Sequence, residues 1–427
     1  MSKNGKKIGL ALSGGGYRAA AYHIGTMRAL HRLGILENVD VISSVSGGSI
    51  TAAYYVQNQH KGFNYFEKSI INKLKWNVLW IGFIDISFVL SICGLCLYIT
   101  PGCYKIATIL GLLLLLWKFW YNFFPFSKCI EWAYSLQFFK GDKLDTISKY
   151  PILAINTTDL STGNQFTFSQ EKITCYPYKG KLNFTPADFP LSMAVMASSC
   201  IPQLFSPIKI SSKYFSGTFN KTPILVDGGL YDNQGAHKFD SHDSHFNVDY
   251  AIVSDAGNTT ISSDNCDNPI KTLVVTSDIM MKRIKNFQRQ HNSYIPGDKK
   301  NVIYAYNDLM WDSYSEFIIR FVNNIKAGYI PKQVTDAHGI SDDLIREMKE
   351  SSSSMIAIEK VQEIIKANIG WSELLERIPK NHDVAIRVNT NLVGLSDKEI
   401  NALIEHSEWM TEVQVKLHLP FLVQSKH

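Results

Sequence analysis

The sequence has few cysteines and little net charge. Its seven cysteines are an odd number, and the Cys-x-x-Cys pair Cys93 and Cys96 lies in an apolar run without histidines. This usage argues against a disulfide framework or a zinc site and favours reduced thiols in the cytosol. The net charge of +5, from 43 basic and 38 acidic residues, suits approach to anionic lipid. It is too weak and too dispersed to indicate a nucleic-acid partner.

Three further features are missing, and each absence narrows the class of protein. No Gly-Lys-Ser/Thr follows the N-terminal glycine run, which excludes a P-loop. No internal repeat or low-complexity tract is present, and 45% of the residues are hydrophobic. We therefore expect one large or two modest domains with a sizeable core. Met1 to Lys7 lead directly into an apolar run, so we expect no signal peptide.

Two glycine-rich turns lie near the N-terminus, each between an apolar strand-like run and a helix-like run. The first turn reads Ser13-Gly14-Gly15-Gly16-Tyr17-Arg18, and the second reads Ser46-Gly47-Gly48-Ser49. A nucleophilic serine on a strand-to-helix turn needs small residues two positions before and after it. Ser44 and Gly48 hold those positions around Ser46. The positive end of the helix that begins near Gly48 would point at this serine and at a developing oxyanion.

The glycine run has two interpretations. Gly14-x-Gly16-x-x-Ala19 after a strand fits the dinucleotide fingerprint of dehydrogenases. That fingerprint needs an acidic residue at the end of the next strand, whereas the available acid, Asp40, stands at its start. We therefore favour an anion-stabilising turn, in which successive N–H groups of Gly15, Gly16 and Tyr17 form an oxyanion hole.

A third motif is an apolar strand that ends in Asp227 and is followed by Gly228 and Gly229. An Asp-Gly pair on its own is a common hairpin turn. Together with the glycine run and the serine turn, however, it resembles the patatin-like phospholipase family, whose catalytic unit is a Ser-Asp dyad without histidine. Two further segments are similar to that family, Thr158-Asp159-Leu160-Ser161-Thr162-Gly163 and Ala197-Ser198-Ser199-Cys200-Ile201-Pro202.

The resemblance implies a three-layer α/β/α patatin-like fold and a role for each matching residue. Ser46 would be the nucleophile and Asp227 its base. Around them the resemblance implies an oxyanion hole of Gly14, Gly15 and Gly16, supported by Arg18, Gly48, Gly228 and Gly229. Ser44 and Ala19 depart from the family's glycines, but neither change removes a catalytic atom. No cofactor and no metal ion are expected at this site.

The implied activity is hydrolysis of phospholipid or another acyl-lipid, of the phospholipase A or lysophospholipase type, through an acyl-serine intermediate. If an acceptor alcohol replaced water, the same dyad would make a transacylase, and a neutral-lipid lipase is also open. An alternative of another class is a catalytically silent, membrane-anchored scaffold or lipid-binding protein. The sequence does not determine the oligomeric state.

Twelve histidines leave a Ser-His-Asp triad open, because Asp159 or Asp227 with His237 or His291 satisfies the α/β-hydrolase order. No sequence motif surrounds those histidines that would mark one of them as catalytic, so we favour the Ser-Asp dyad. The segment from Asp240 to His245 has a metal-like composition but lacks the ligand spacing of known zinc or calcium motifs. We expect it to be a solvated loop.

Residues 76–126 contain two long apolar runs, Trp76 to Ile99 and Ile106 to Phe126, joined by a turn. Each approaches the roughly 20 residues that cross a bilayer, although Asp85 and Lys118 interrupt them. Lysines flank both outer ends, whereas the turn carries Lys105 alone. The positive-inside rule therefore predicts a membrane-associated hairpin, with the catalytic domain facing the cytoplasm. A pair of buried helices and a lid over the active site are the alternatives.

These patterns predict three parts of the chain. They are a discontinuous catalytic domain at 1–75 and 127–260, an inserted hydrophobic helical hairpin at 76–126, and a C-terminal helical extension at 261–427 that completes or covers the catalytic core. In the extension we expect amphipathic helices, a late strand from Asp383 to Val388, and a helix capped by Ser396.

Overall fold

The computed structural model describes residues 5–178, 182–202, 205–217, 221–240, 243–257, 268–350 and 354–423. Within this part of the chain, nine strands form one mixed sheet and two more form a small separate pair, β6 and β8. The strands are β1 (Ile8–Leu12), β2 (Val41–Val45), β3 (Ile152–Asp159), β4 (Asn164–Phe168), β5 (Ile173–Thr174), β6 (Leu182–Phe184), β7 (Ile208–Lys209), β8 (Phe215–Gly217), β9 (Ile224–Asp227), β10 (Tyr250–Asp255) and β11 (Ile303–Asp308).

Seventeen α-helices lie in the described part of the chain. They are α1 (Gly16–Arg32), α2 (Gly47–Asn58), α3 (Phe63–Leu74), α4 (Trp80–Ile99), α5 (Lys105–Lys118), α6 (Trp120–Phe123), α7 (Phe126–Tyr134), α8 (Leu191–Ser198), α9 (Gly229–Asp232), α10 (Pro269–Tyr294), α11 (Phe317–Ala327), α12 (Lys332–Ala337), α13 (Asp342–Glu347), α14 (Ser354–Ile369), α15 (Trp371–Glu376), α16 (His382–Arg387) and α17 (Asp397–His418). Short 3-10 turns join several of them.

The main sheet is buried on both faces. Its strands run in the order β11, β10, β1, β2, β3, β4, β5, and the first five of these are parallel. Successive side chains of a strand point to opposite faces, so Leu10 and Leu12 enter one core and Ala11 enters another. Helices α1, α2 and α17 contact the sheet within the first core, while Phe239 and Phe246 pack in the second. The predicted three-layer fold, with helices on both sides of a mixed sheet, is confirmed.

Strand β9 lies where β2 ends. β3 is longer than β2, and its far end pairs with β9 on the edge that β2 has left. Asn156 of β3 pairs with Val45, and the next residue, Thr157, pairs with Asp227. The register of one strand therefore places the residue after Val45, which is Ser46, next to Asp227.

The apolar segment folds into α4 and α5, whose side chains are mostly exposed. Helix α4 has 20 residues, and by length and composition it is the described helix that could cross a membrane. The second run was predicted as one element, but it breaks after Lys118, and the helical segments Gly102–Lys118 and Trp120–Phe139 on either side of the break meet at 87°. Phe119 marks the break, with a backbone φ of −114° and ψ of 31° outside the helical region. These helices by themselves do not establish membrane insertion.

Helix α4 is fixed to the catalytic part of the chain at its base. A Cβ on Gly82 would lie 3.3 Å from the ring of Phe126, the first residue of α7. Asp85, one turn later, is half-buried, and burial followed by the Asp85 carboxylate raises the pKa of the Cys129 thiol on α7. Asp85 therefore faces α7 and not the exposed side of the hairpin.

The C-terminal part contains a second apolar core formed by α11 to α15 and one side of α17. The other side of α17 packs along α1. The predicted cap is confirmed, because the Ser396 hydroxyl accepts the Glu399 N–H and the Glu399 carboxylate accepts the Ser396 N–H.

The predicted strand from Asp383 to Val388 is wrong, because His382–Arg387 is helix α16. Its apolar stretch from Val384 to Ile386 lies between Asp383 and Arg387, and so short a pattern does not distinguish a strand from a helical turn. The contact of His382 Nε2 with the Leu309 carbonyl oxygen, at 3.0 Å, and packing against α17 hold the helix in place. The sequence also predicts a break in the helices from Ser351 to Ser354, and residues 351–353 lie outside the described residues.

Candidate active site

Ser46 stands at the turn between β2 and α2. Its backbone φ of 50° and ψ of −120° lie in a region that residues with a side chain rarely adopt. Such strain persists only where the surrounding structure enforces it, and it is concentrated at functional sites. The N-terminus of the 12-residue helix α2 directly follows Ser46 and provides a positive electrostatic potential there.

The turn around Ser46 needs its glycines because backbone packs directly on backbone. A Cβ on Gly47 would lie 2.0 Å from the Gly16 carbonyl oxygen, and one on Gly48 would lie 2.4 Å from that of Leu12. No real Cβ approaches that closely, so the two N-terminal turns touch only because both are glycine-rich. The two motifs read from the sequence are neighbours in space.

Hydrogen bonds among three buried serine hydroxyls, those of Ser44, Ser49 and Ser198, hold the Ser46 turn in place. The Ser46 N–H donates to Ser198 Oγ at 2.9 Å, and that hydroxyl donates to the Asn156 carbonyl oxygen at 2.7 Å. Ser49 Oγ lies 3.0 Å from Ser198 Oγ and donates to Ser44 Oγ at 3.1 Å. The serine at position 44, where the family has glycine, is therefore part of a buried hydroxyl chain.

Asp227 is buried beside Ser46. The Gly229 N–H donates to Asp227 Oδ1 at 2.7 Å, and the Asp227 N–H donates to the Cys200 carbonyl oxygen at 2.8 Å. Burial raises the pKa of the carboxyl to about 6, while hydrogen bonds from the Gly229 N–H and the Ser46 hydroxyl oppose that rise. The structure thus brings the predicted serine and aspartate together.

The first glycine turn lies against the serine, since a Cβ on Gly14 would be 3.2 Å from Ser46 Cβ. Two backbone N–H groups of this turn already donate hydrogen bonds within the protein. Gly14 donates to the Asn233 carbonyl oxygen at 3.0 Å, and Tyr17 donates to that of Asn391 at 2.8 Å. The Tyr17 N–H, which the sequence predicted as an oxyanion donor, is therefore occupied. The Gly14 N–H is occupied too, so Gly14 takes part in the predicted oxyanion hole by close approach and not as a donor.

Gly15 and Gly16 have positive φ values of 141° and 58°, and their N–H groups find no acceptor among the described residues. A glycine adopts such angles without a steric penalty. These two N–H groups, beside the α2 N-terminus, are the ones that an oxyanion could use.

Arg18 is buried next to this turn. Its Nε donates to the Ala256 carbonyl oxygen at 3.1 Å and its Nη1 to that of Val388 at 3.2 Å. Nη2 lies 3.2 Å from the position that a Cβ on Gly15 would take. Burial lowers the pKa of the guanidinium to about 10, which the charge of Asp255 partly offsets. Arg18 therefore stays protonated at neutral pH and fixes the turn to the end of β10.

A family model described as Patatin-like phospholipase matches residues 10–240, which is more than half of the chain. The chain belongs to the patatin-like phospholipase family. Ser46, Asp227 and the glycine turns all lie inside the matched range. At the level of the family, membership supports lipid acyl hydrolysis with a lipid substrate.

Solved structures similar to this family member include VipD from Legionella pneumophila, with 14% identity over 95% of this chain and 91% of VipD, and a TM-score of 0.29. Human GIVD cytosolic phospholipase A2 has 12% identity over 98% of this chain and 59% of its own, with a TM-score of 0.48. A search of curated proteins gave no match. The family assignment therefore rests on the family model.

Two polar residues near the site carried no recognisable signal in the sequence. The Asn233 carbonyl oxygen accepts a hydrogen bond from the Gly14 N–H. The Asn233 side-chain Oδ1 lies 2.8 Å from the position that a Cβ on Gly229 would take. His23 lies behind the first turn, where Nε2 is 2.9 Å from the Ser13 carbonyl oxygen. Burial lowers the pKa of His23 to about 4, so the imidazole is neutral.

The histidines considered for a triad lie elsewhere. The side chains of His237 and His291 are exposed, and neither influences the pKa of Asp227. Asp159, the other acid considered, accepts from Tyr178 and from the turn that follows it. In this family member, the described contacts of Asp227 thus include Ser46 and no histidine.

The described residues contain no group of three or more His, Cys, Asp or Glu side chains suited to a metal ion. The predicted loop from Asp240 to His245 falls partly outside them, at residues 241 and 242. The expectation for that segment therefore stays a prediction.

Proposed function

We propose that this protein is a membrane-associated lipid acyl hydrolase of the phospholipase A or lysophospholipase type, with Ser46 as nucleophile and Asp227 as its base. The observation that carries the proposal is the pairing of a strained serine with a buried carboxyl whose pKa is about 6. A base of that pKa is mostly deprotonated at neutral pH, yet it accepts a proton more readily than an ordinary aspartate.

The reaction proceeds in two halves. Asp227 takes the Ser46 proton as Oγ bonds to the ester carbonyl carbon, and the N–H groups of Gly15 and Gly16 hold the oxyanion. When the tetrahedral intermediate collapses, the alcohol part of the lipid leaves with the proton from Asp227. Water then attacks the acyl-serine while Asp227 again accepts a proton, and the fatty acid departs as the proton returns to Ser46.

The test is incubation of detergent-purified full-length protein with mixed phospholipids and neutral lipids, followed by identification of the released fatty acids. We expect Ser46→Ala and Asp227→Asn to abolish release, because each removes one partner of the dyad. Ser372→Ala, at an exposed position of α15, is the matched control and should behave as the parent. Equal release by the parent and Ser46→Ala would contradict the dyad and favour the silent scaffold.

The fate of the acyl group separates the hydrolase from its alternatives. An acceptor alcohol that reacts with the acyl-serine in place of water makes the enzyme a transacylase. The same incubation with an added monoacylglycerol would reveal this outcome as a new ester at the expense of free fatty acid. Preference for triacylglycerol over phospholipid would identify a neutral-lipid lipase.

We propose that the membrane association resides in the hairpin of α4 and α5. Its support is the exposure of large apolar side chains, for example Phe83, Phe88 and Leu95 at 63, 64 and 61%. A soluble protein rarely leaves so large a contiguous apolar surface in water. The lysines that flank the outer ends support a catalytic part on the cytoplasmic side under the positive-inside rule.

The hairpin test replaces residues 84–122 by a short glycine-serine linker, which leaves the contact between Gly82 and Phe126 in place. We expect the parent to resist alkaline extraction from membranes and the shortened chain to be released. Thermal unfolding of the shortened chain checks that its catalytic part still folds. Release of the parent under the same conditions would refute membrane insertion.

A further inference from the structure

Helix α10 buries a charged side chain and exposes large apolar ones, which is the reverse of a helix that packs against a core. Among its described side chains, Lys285 is the buried one. Leu273, Met280 and Phe287 are exposed to water by 57, 61 and 72%, whereas Val275, Met281 and Ile284 are half-buried. An amphipathic helix in a soluble protein normally turns its apolar face inward. The exposed apolar face therefore needs a partner outside the described structure.

Lys285 fixes α10 to the edge of the sheet that carries the active site. Its Nζ lies 2.8 Å from Asp255 Oδ2 and 3.0 Å from Asp308 Oδ2. These aspartates end β10 and β11, which run parallel to β2, the strand that ends at Ser46. Burial lowers the pKa of Lys285, but the two carboxylates outweigh it and raise that pKa to about 12, so the ion pairs are intact at neutral pH.

The same helix contacts α9, the short helix that begins two residues after Asp227. A lipid substrate has to reach Ser46 and Asp227 from a membrane. The edge of the sheet that holds them must therefore approach that membrane, and α10 lies on this edge.

The exposed residues form one strip. Leu273, Met280 and Phe287 recur every seven residues, so a helix of 3.6 residues per turn places them on one face, opposite Lys285. Arg283 lies within the same strip, and Asp278, the acidic residue of this helix, lies on the side of Lys285. The strip is therefore apolar with a positive charge.

We propose that this strip is a docking surface for an anionic phospholipid bilayer, with α10 lying in the plane of the interface. Apolar residues beside basic ones are the composition of helices that bind there, and each cation near an anionic surface strengthens binding roughly fivefold. A symmetric second copy fits less well, because it would bring the Arg283 side chains together. The inference rests on the proposed function for its choice of a lipid partner.

The test is hydrogen–deuterium exchange on the full-length protein in vesicles of phosphatidylcholine alone and of phosphatidylcholine with phosphatidylserine. We expect the backbone amides of 271–294 to exchange several-fold more slowly in the anionic vesicles. High salt should remove most of that difference, because it screens the attraction between cations and headgroups.

Matched variants locate the contact. Met280→Gln with Phe287→Gln should lose the protection, whereas Met355→Gln with Ile356→Gln, 77 and 74% exposed on α14, should keep it. Ser46→Ala should also keep the protection, so loss of hydrolysis and loss of this contact are read separately. Equal exchange in both kinds of vesicle would overturn the proposal. So would protection that appears without lipid and grows with protein concentration, since that outcome indicates a second copy.

Discussion

The protonation of Asp227 is decided by its burial. The carboxyl has an ordinary pKa of 3.8, which burial raises to about 6 against two hydrogen bonds. A shift of this size is typical of a group whose environment has been selected for catalysis and not for stability. The raised pKa of Asp227 affects both the pH dependence of hydrolysis and the stability of the fold.

Hydrolysis is expected to depend on pH through Asp227. The carboxylate is the active form, so kcat/KM should rise as the pH increases through about 6 and should level off above it. The measurement is a pH profile with a soluble ester, at pH values where thermal unfolding shows the protein intact. A profile that stays level down to pH 4 would indicate that Asp227 is not the base.

Asp227→Asn is expected to stabilise the fold while it abolishes hydrolysis. Because the folded pKa lies above the unfolded one, the stability contribution of this group is present below pH 3.8 and is lost as pH rises through about 6. At neutral pH the neutral amide should therefore raise the free energy of unfolding by up to about 3 kcal/mol. Asp336→Asn, at an exposed position, is the control and should change little. A lower unfolding temperature for Asp227→Asn would contradict the argument.

Residue types near the site were predictable, but hydrogen-bond directions were not. Ser46 and Asp227 stand in motifs whose small neighbours reveal them. The N–H of Gly14 is directed at Asn233, a residue that only folding brings near, so the sequence could not show that this donor is occupied.

The two N-terminal turns work as one element, because the second turn needs glycine where it contacts the backbone of the first. A Cβ at Gly47 or Gly48 would clash with backbone carbonyl oxygens at the first turn. The local sequence predicted each turn separately, and their mutual contact follows from the parallel pairing of β1 with β2.

Gly47→Ala is expected to destabilise the protein by about 1 to 3 kcal/mol and to reduce hydrolysis strongly, since its Cβ would meet the Gly16 carbonyl oxygen. Gly94→Ala, within α4, is the matched control because nothing lies within 4 Å of the added Cβ. That change should be neutral or mildly stabilising, as alanine favours a helix. Thermal unfolding and ester hydrolysis of both variants check this, and equal behaviour of the two would refute it.

At this scale the sequence predicted long elements better than short ones. The helix capped by Ser396 follows from a complete capping box, and α4 follows from its length and composition. Residues 383–388 are too few for their apolar pattern to distinguish strand from helix. The break at Phe119 lies in a mostly apolar run that Lys118 interrupts, and the run has no helical periodicity that would locate the break.

In the whole molecule, the N-terminal and C-terminal thirds share one buried polar cluster. Thr26 Oγ1 on α1 lies 2.7 Å from Ser254 Oγ, 2.7 Å from Ser407 Oγ and 3.1 Å from Asn307 Nδ2. These partners come from β10, α17 and β11. Helix α17 therefore contributes to the same core as the first glycine turn, although the family model ends at residue 240.

Thr26→Val keeps the shape of the side chain and removes the hydroxyl that joins the cluster. Leaving its partners unsatisfied should cost about 1 to 3 kcal/mol in the free energy of unfolding. Thr276→Val is the control, because Thr276 is exposed on α10 and its hydroxyl donates, among the described residues, to the Thr272 carbonyl oxygen of its own helix. Chemical denaturation of the two variants measures the difference. An unchanged midpoint for Thr26→Val would show that the cluster does not hold α17 to α1.

The sequence alone determined the residue types of the site, the three-layer fold and the family, because small residues around Ser46 and Asp227 are required locally by the turns that present them. Only the tertiary structure decided which N–H groups remain free, since Asn233 occupies that of Gly14. It also decided the orientation of α10, which leaves Leu273, Met280 and Phe287 exposed. The buried ion pairs of Lys285 with two strand-end aspartates set that orientation, and they join residues far apart in the chain.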